Sequence, residues 1–378
     1  MVGVGFGTLI LGVSAAWLTA MCDFPGRKIL SWAFLLPMAM PAYIIAYTYT
    51  GILDFAGPVQ STLRATFGWG YGDYYFPQIR SLGGAICMLS LVLYPYVYML
   101  VRIAFLEQST AVLEASRNLG KKPWQTLFSV ALPMSRPAIV AGVSLALMET
   151  LADYGTVAYF GVSAFTTGIF RTWYGLGELT TAAQLCAFLL LFVFALIMAE
   201  RWSRQRLRFH HHSANKKLVR MQLNGWHAYL ALLIGCLIVG IGFVIPATQL
   251  LIWASSRWQE NINGEFLSLL LNSFSLAAIA AICCVVVATF LAYTKRVFNS
   301  RVELGAVGIA SLGYAVPGTV IAVGVLIPVA WLDNKIDFLS RAWFDIPTGL
   351  LLSGTIGILV FAYVVRFLSV SLNTVESG

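Results

Sequence analysis

Two acidic residues in an otherwise apolar segment are the first candidates for chemistry. Glu149 and Asp153 lie four residues apart in LALMETLADYGTV, so a helix would carry both carboxylates on one face. A carboxylate inside a membrane is costly, and it usually faces the interior of a helix bundle or a wet cavity. We predict that both residues line the outward part of a polar route. For Asp153 the alternative is a solvated helix end at the outer surface.

Other kinds of chemistry are not indicated. The sequence contains no G-x-x-x-x-G-K-[ST], H-E-x-x-H, G-x-S-x-G or Rossmann fingerprint, so we predict a non-enzyme without catalytic residues or a bound cofactor. The six cysteines lie almost all in apolar runs without a C-x-x-C spacing, which predicts buried thiols rather than disulfides or metal ligands. The basic run around His210–His212 could suggest metal binding, but consecutive histidines there more often have no specific role.

Composition places the carboxylates in a membrane. The chain has 378 residues, of which 59% are hydrophobic and 11% charged, whereas soluble domains have about 25% charged residues. We therefore predict an all-α polytopic membrane protein of about nine transmembrane helices in two pseudo-repeats. The segments long enough to span a bilayer are approximately 2–20, 29–53, 83–106, 136–154, 181–199, 226–254, 269–293, 303–331 and 348–372.

One long polar interruption, Glu107–Pro133, has a helical pattern of its own. Residues 110–119 have helix-forming composition, and Glu114 and Arg117 lie close enough to pair on one face. This interruption is therefore predicted to contain folded structure rather than a simple loop.

The second part of this interruption is predicted to be another helix. Gly120 can adopt the positive φ of a helix end, and Pro123 suits the first turn of the next helix. Pro133 is expected to end that helix. Its predicted single apolar face consists of Trp124, Leu127, Phe128 and Ala131.

The spacing of this elbow is also a family signature. Glu114-Ala115-Ser116, then Gly120, then Val130-Ala131-Leu132-Pro133 resembles the EAA loop of ABC importer permeases, E-A-A-x3-G-x9-I-x-L-P. The resemblance implies that the elbow docks in a groove of an ATPase subunit on the cytoplasmic face. The docking residues that it implies are Glu114, Ala115, Ser116, Gly120, Trp124, Leu132 and Pro133. An ordinary amphipathic interfacial helix is the alternative.

The charges of the loops agree with a cytoplasmic elbow. With the elbow inside, 18 of the 24 Lys and Arg residues lie on the cytoplasmic side, as the positive-inside rule requires. We predict a multi-pass protein of the bacterial inner membrane, with the lipid bilayer and not nucleic acid as a partner. The aromatic residues of the outer loops favour a membrane-surface belt over a ligand-stacking site. These loops are 54–82, 155–180, 255–268 and 332–347.

An internal repeat divides the chain. Pro41 at the end of LPMAMP matches Pro317 at the end of LGYAVP, and the segment from Tyr98 to Arg102 resembles that from Tyr363 to Arg366. Repeats of this kind are typical of transporters with a pathway between two pseudo-symmetric halves. We predict a first permease repeat at 1–199 with its EAA loop at 107–135, a basic cytoplasmic linker at 200–225, and a second repeat at 226–378.

Longer runs carry a more specific resemblance over almost the whole chain. They are CDFPGRK, SLGGAICMLSLVLYPYVYML, FLEQSTAVLEASRNLG, METLADYGTVAYFGV and GIFRTWYG. These runs resemble the fused two-repeat permeases of ferric-iron ABC importers. The resemblance implies two ABC ATPase subunits and a periplasmic substrate-binding protein that selects the ligand. It also implies twelve spans and two elbows, so we expect this chain to lack the first span and, after Gly378, the second elbow and last two spans.

Several alternatives remain open from the sequence. Thiamine-importer permeases have a similar fused layout, so thiamine or another small solute is the nearest alternative substrate. A secondary transporter also has repeats and membrane carboxylates, but it has no need for an ATPase-docking elbow. A channel or structural membrane protein is a third class, and it predicts no dependence on ATP.

Overall fold

The computed structural model confirms the predicted all-α class for the part of the chain that it describes. The described residues are 1–70, 72–108, 115–116, 118–205, 220–256, 258, 262–298, 301–310 and 312–377. Within them, the β structure is a two-residue parallel pair in which β1 (Cys22–Asp23) lies beside β2 (Met221–Gln222).

The helices of the first half follow the predicted spans closely. They are α1 (Val2–Met21), α2 (Arg27–Ala33), α3 (Ala42–Leu53), α4 (Pro58–Phe67), α5 (Leu82–Leu106), α6 (Pro123–Thr126), α7 (Leu132–Met134), α8 (Arg136–Ala152), α9 (Gly155–Tyr159), α10 (Phe165–Phe170) and α11 (Leu179–Gln205). A 3₁₀ turn, Leu36–Ala39, precedes α3, and π-helical turns occupy Leu127–Ala131 and Arg171–Gly175.

The second half continues with long apolar helices. They are α12 (Trp226–Val239), α13 (Ile245–Ser256), α14 (Gly264–Phe298), α15 (Arg301–Ala310), α16 (Gly318–Phe344) and α17 (Ile356–Ser377). A π-helical turn, Gly240–Val244, joins α12 to α13, and a 3₁₀ turn, Gly313–Ala315, precedes α16.

The number of candidate membrane spans agrees with the prediction. Seven helices among the described residues are long and apolar enough to cross a bilayer. Two further spans are bent helix pairs, Arg27–Ala39 with Ala42–Phe67 at 92° and Trp124–Met134 with Arg136–Ala152 at 75°. Counting each bent pair as one span gives up to nine.

Several predicted spans and loops are wrong in their boundaries. The span 29–53 is broken between Ala39 and Ala42, where Pro41 is extended (φ −57°, ψ 137°), and the predicted loop 155–180 contains α9 and α10. The span 303–331 is interrupted after Ala310, because Pro317 adopts an extended conformation (φ −56°, ψ 140°) before α16 begins. Helix α16 then continues to Phe344, so most of the predicted loop 332–347 is helical. The predicted loop 54–82 likewise contains α4, which Pro58 starts.

The chain divides into two compact units. One contains Met1–Thr167 and Phe194–Ala254, and the other contains Gly168–Val193 and Ser255–Gly378. The two units are defined by which residues pack together, whereas the predicted boundaries at 199 and 226 were drawn from the repeat in the sequence. The repeat boundaries therefore stay a prediction.

Small residues bring three helices of the first unit together. A Cβ on Gly12 of α1 would lie 2.6 Å from Cβ of Val97, and one on Gly142 of α8 would lie 2.7 Å from Cα of the same valine. Close approach of this kind is a common way for membrane helices to pack. The core that results buries Tyr94 and Phe105 of α5 completely.

Helix α17 packs along α14 in the second unit. Ala288, Val307 and Leu372 form a small buried cluster there. Lys295 Nζ donates to Glu376 Oε1 at 2.6 Å, which ties the ends of α14 and α17 together. Apolar side chains of these helices are otherwise widely exposed, as expected of surfaces that face lipid.

Candidate functional site

The turn of the elbow is built as predicted. Gly120 has φ of +76°, and the amide of Lys121 donates to the carbonyl of Ser116 at 3.2 Å. A Cβ at Gly120 would meet no atom of the described residues within 4 Å, and the positive φ is the feature that favours glycine there. Helix α6 then begins at Pro123, also as predicted. Glu114 and its predicted pairing with Arg117 lie outside the described residues.

A buried hydrogen bond fixes the two arms of the elbow against each other. The hydroxyls of Ser116 and Thr126 lie 3.0 Å apart, and both side chains are buried. Ser116 is the residue that departs from the usual alanine of the EAA pattern. Its hydroxyl therefore gives this elbow a polar cross-link between its arms that an alanine could not form.

The predicted apolar face of the second arm is wrong in its register. Leu127 and Ala131 pack on the core, but Trp124 and Phe128 are 59% and 64% exposed. The arm is also not a continuous α-helix, because Leu127–Ala131 winds as a π-helical turn in which side chains are spaced differently. Two apolar stripes result, one buried and one exposed.

The end of the elbow is anchored to α5 by a residue that sequence reasoning missed. Gln108 Nε2 donates to the carbonyl of Ala131 at 2.9 Å and to Oγ of Ser135 at 2.9 Å. Pro133 does not end the helix, because it lies in the first turn of α7 and the chain stays helical to Met134. Leu132 is partly buried against the core.

Three exposed apolar side chains therefore project from the elbow. Leu119 is 80% exposed, and it is joined by Trp124 and Phe128. We call these three residues the elbow surface. A concentrated set of exposed apolar side chains beside a polar turn is typical of a protein-docking site.

The two membrane carboxylates differ in setting. Glu149 lies partly buried in the last turn of α8, whereas Asp153 follows the end of that helix with an extended backbone (φ −69°, ψ 127°). Because α8 ends at Ala152, the two side chains do not share one continuous helical face. Asp153 accepts hydrogen bonds from Thr156 Oγ1 at 3.0 Å and from the amide of Val157 at 3.1 Å.

Asp153 thus has a local structural role. Its carboxylate caps the start of α9, and its carbonyl accepts from Thr166 Oγ1 at 2.7 Å. These contacts order the turn between α8 and α10. A role for Glu149 or Asp153 in a pathway stays a prediction.

Metal and thiol chemistry receives little support from the described residues. Within them, no group of three His, Cys, Asp or Glu side chains is arranged to hold a metal ion. All six thiols are free, and Cys22, Cys186 and Cys284 are buried as predicted, but Cys87 and Cys236 are exposed. The run His210–His212 lies outside the described residues.

The parallel pair β1–β2 is a second feature that the sequence did not reveal. It joins the end of α1 to the segment that leads into α12, and the amide of Leu223 extends it by donating to the carbonyl of Asp23 at 3.0 Å. Asp23 accepts from Arg27 Nε at 3.1 Å and from Gln222 Nε2 at 2.9 Å. We call this arrangement the linker clamp.

Comparison with known proteins matches this architecture to a family. The family described as "Binding-protein-dependent transport system inner membrane component" matches residues 8–208, which include the elbow and both carboxylates. The chain belongs to this family. It is therefore a multi-pass inner-membrane permease subunit of an ABC importer.

Relatives of the permease carry different substrates in their names. The Fe(3+)-transport system permease protein FbpB 2 of Haemophilus influenzae is 24% identical over 387 residues, covering all of this chain and 68% of that protein. The molybdenum transport system permease protein ModB of Escherichia coli K12 is 25% identical over 209 residues, covering 53% of this chain and 88% of that protein. A probable sulfate transport system permease protein of Chlorokybus atmophyticus is 31% identical over 161 residues, covering 40% and 51%.

Proposed function

We propose that the permease passes ferric iron from a periplasmic binding protein to the cytoplasm, driven by two ATPase subunits that dock on the EAA loop. The elbow surface is the observation that carries this proposal. Trp124 and Phe128 are exposed on the second arm, whose other stripe packs on the core that α1 and α5 help to form, and Leu119 is exposed at the end of the first arm. A push on the exposed stripe would therefore be transmitted directly to two membrane helices.

Anchoring at both ends makes the elbow suitable for transmitting motion. The Ser116–Thr126 hydrogen bond holds the two arms together, and Gln108 holds the end of the second arm to α5. Both contacts are buried, where water does not compete for the donors. We propose Glu114, Ala115, Ser116, Gly120, Trp124, Leu132 and Pro133 as the residues that form or support the docking site.

Copurification with the ATPase subunit tests the docking site. Trp124→Ala and Phe128→Ala together should weaken ATPase binding about tenfold or more, because buried aromatic anchors dominate interface energetics. Phe290→Ala is the matched control, since Phe290 is 65% exposed on α14, far along the chain from the elbow. Undiminished ATPase binding by the double variant, with normal insertion, would remove the elbow surface from the interface.

The substrate is the finer part of the proposal. The match to the Fe(3+)-transport permease extends over the whole chain, whereas the matches to the molybdenum and sulfate permeases cover about half of it. This difference in coverage favours ferric iron, and the repeat boundaries at 1–199 and 226–378 agree with a fused permease. Thiamine or another small solute, including an oxyanion, is the alternative.

Uptake by cells that lack the gene distinguishes these substrates. The proposal predicts that these cells lose ATP-dependent uptake of radioactive iron. The wild-type gene should restore uptake, and a gene with both Trp124→Ala and Phe128→Ala should not. Normal iron uptake with loss of thiamine, molybdate or sulfate uptake would assign the permease to that substrate. Uptake that continued without ATP would favour a secondary transporter.

The pathway residues require a separate test. We propose that Glu149 lines the outward part of the route and that Asp153 shapes its rim through its cap on α9. Glu149→Gln should lower the uptake rate while ATPase binding stays normal. Unchanged transport by the double variant Glu149→Gln, Asp153→Asn would exclude both side chains from the pathway.

A further inference from the structure

An unusual concentration of positive charge surrounds the linker clamp. Arg27, Arg102 and Arg220 come from three separate segments, and Asp23 is the carboxylate among them. Three guanidinium groups and one carboxylate leave a formal net charge of +2. We call the three arginines the guanidinium cluster.

Backbone contacts hold two members of the cluster in place. Arg27 donates through a terminal nitrogen to the carbonyl of Thr19 at 3.2 Å, in addition to its bond with Asp23. Arg220 donates through Nε to the carbonyl of Ala20 at 3.2 Å. Both acceptors lie in the last turn of α1, so the two guanidinium groups are fixed beside the same helix end.

The third member has a buried donor without an acceptor. Nε of Arg102 is shielded from solvent, and no atom of the described chain accepts a hydrogen bond from it. Arg102 lies within electrostatic reach of both Arg220 and the Tyr98 hydroxyl. An uncompensated cation is costly in a partly buried setting, so an anion that bound beside the Arg102 guanidinium group would offset part of that cost.

The cations also repel one another. Burial and then the charge of Arg27 lower the pKa of Arg220, Arg102 adds to this effect, and Asp23 opposes it. Among the described residues, Asp23 is the one carboxylate that acts on Arg220, and it does not balance the three cations. The cluster is therefore assembled without its full complement of negative charge.

We propose that the guanidinium cluster binds a phosphate group at the cytoplasmic surface of the permease. Several guanidinium groups around one phosphate are a strong arrangement, because each planar group offers paired donors to the phosphate oxygens. The cluster lies at the ends of α1 and α5, on the predicted cytoplasmic side. A phospholipid headgroup and a soluble phosphate compound share this chemistry.

The surroundings of the cluster favour a lipid as the source. Trp32 on α2 and Trp226 at the start of α12 are 76% and 66% exposed, and tryptophans of this kind prefer the level of the headgroups. Leu30 of α2 packs on Gly235 of α12, so the two exposed tryptophans belong to neighbouring elements. Basic pockets between helices on the cytoplasmic side are known to bind anionic headgroups.

Thermal stability of the purified full-length permease in lipid nanodiscs tests the proposal. The comparison is between phosphatidylcholine alone and equal parts of phosphatidylcholine and phosphatidylglycerol, each with and without added inorganic phosphate. The variants are Arg102→Gln, Arg102→Lys and the control Arg136→Gln, which removes an exposed arginine at the start of α8. Titration with phosphatidylglycerol in detergent gives the affinity.

A lipid site predicts that phosphatidylglycerol stabilises the wild type and Arg136→Gln, whereas Arg102→Gln loses about tenfold in affinity. Arg102→Lys should recover part of that loss, because it restores the charge without the planar donors. Stabilisation by inorganic phosphate alone, with the same dependence on Arg102, would assign the site to a soluble phosphate compound.

Two outcomes would overturn the proposal. Equal response of the wild type and Arg102→Gln to both anions would show that the cluster binds neither. Loss of ATPase copurification in Arg102→Gln, without any change in anion response, would assign the cluster to a protein carboxylate instead. Arg220→Gln provides the same comparison should Arg102→Gln fail to insert, because Arg220 lies outside the helices.

Discussion

The two halves of the permease begin one structural element in the same way and continue it differently. In the first, the 3₁₀ turn Leu36–Ala39 leads to Pro41 (φ −57°, ψ 137°) and α3; in the second, Gly313–Ala315 leads to Pro317 (φ −56°, ψ 140°) and α16. Helix α3 ends after 12 residues, but α16 continues for 27. The start is therefore set locally by proline, and the continuation is set by more distant contacts.

Those distant contacts differ in chemistry. After α3, Gln60 Nε2 donates to the carbonyl of Leu53 at 2.8 Å, and Arg64 donates to that of Phe55 at 2.9 Å. These bonds fold α4 back against the end of α3. In the first half, therefore, side-chain donors on α4, one neutral and one cationic, bind backbone carbonyls at and after the end of α3.

After α16, carboxylates rather than amide or guanidinium donors form the hydrogen bonds that hold the following segment. Asp333 accepts from the amides of Leu352 and Ser353, the latter at 2.7 Å, and Asp337 accepts from the amide of Gly349 at 2.9 Å. These two carboxylates, one helical turn apart, hold the returning loop against the side of α16. Because the loop binds to the side of α16 rather than to its end, the helix can continue to Phe344.

The largest difference between the halves should appear at Gly313. A Cβ there would clash with the carbonyl oxygen of Val365, and backbone atoms cannot move aside easily. We expect Gly313→Ala to destabilise the permease by about 3 kcal/mol or more, measured by thermal unfolding in detergent. The corresponding first-half residue, Pro37, is accommodated because it faces Gly242 at a distance that permits contact.

Two glycine substitutions control this prediction. Gly324→Ala in α16 meets no atom within 4 Å and should be neutral or slightly stabilising, as expected of alanine in a helix. Gly242→Ala would place its Cβ 3.2 Å from Pro37 Cγ and should have an intermediate effect. Equal losses of stability in all three variants would show that the two 3₁₀ turns, Leu36–Ala39 and Gly313–Ala315, do not differ in how closely they are packed.

Removing a carboxylate of α16 should loosen its loop. Asp333→Asn keeps the size of the side chain but loses the charge that accepts from two amides. Hydrogen exchange at Leu352 and Ser353 should accelerate about tenfold or more, because hydrogen bonds to a charged group are stronger than neutral ones. Asp345→Asn is the control, since Asp345 is exposed and has φ of +56°, which asparagine adopts well.

A smaller effect is expected at a tyrosine that both halves have in their matched segments but that is buried only in the first. Tyr98, buried in α5, donates to the carbonyl of Ser31 at 2.8 Å and so ties α5 to α2. Its counterpart in the matched segment of α17, Tyr363, is 37% exposed. Tyr98→Phe should cost about 1 kcal/mol in unfolding free energy. An unchanged free energy would mean that α5 and α2 are held together by packing alone.

The smallest expected effect is on the pH dependence of stability, through Asp23 of the linker clamp. Hydrogen bonding from Gln222, together with the charge of Arg27, lowers the pKa of Asp23 below its ordinary value of 3.8. A lowered pKa in the folded state adds stability above pH 3.8, and this contribution is lost as the pH falls through the lowered pKa. The melting temperatures of wild type and Asp23→Asn should therefore differ slightly at neutral pH and converge as the pH falls below 3.8.

Sequence patterns predicted the features that depend on local chemistry. Apolar length predicted the spans, and the positive φ of Gly120 and the start of α6 at Pro123 followed from ordinary helix-end rules. The span 303–331 was wrong because its prediction ignored the extended conformation of Pro317. The predicted span ended at 331 because the apolar run ends there, whereas α16 continues through Asp333, Lys335 and Asp337 to Phe344.

The features that sequence reasoning missed depend on tertiary contacts. No pattern indicates that Leu127–Ala131 winds as a π-helix, so the division of the elbow into buried and exposed stripes was not predictable. The prediction put Asp153 on the same helical face as Glu149 because the spacing fits a continuous helix. The structure ends α8 before Asp153, and its carboxylate instead accepts hydrogen bonds from Thr156 and Val157. The bonds of Gln108 connect residues more than twenty positions apart.

The linker clamp has a consequence for biosynthesis. Asp23 and Gln222 are separated by 199 positions, so the partner of β1 is made long after β1 itself. At a translation rate of roughly 5–20 residues per second, the end of α1 waits roughly 10–40 s for its partner. During that interval the amide and carbonyl groups of Cys22 and Asp23 are open to other strands. The nascent chain thus has a period in which this turn, predicted to be cytoplasmic, is accessible to a chaperone or to the insertion machinery.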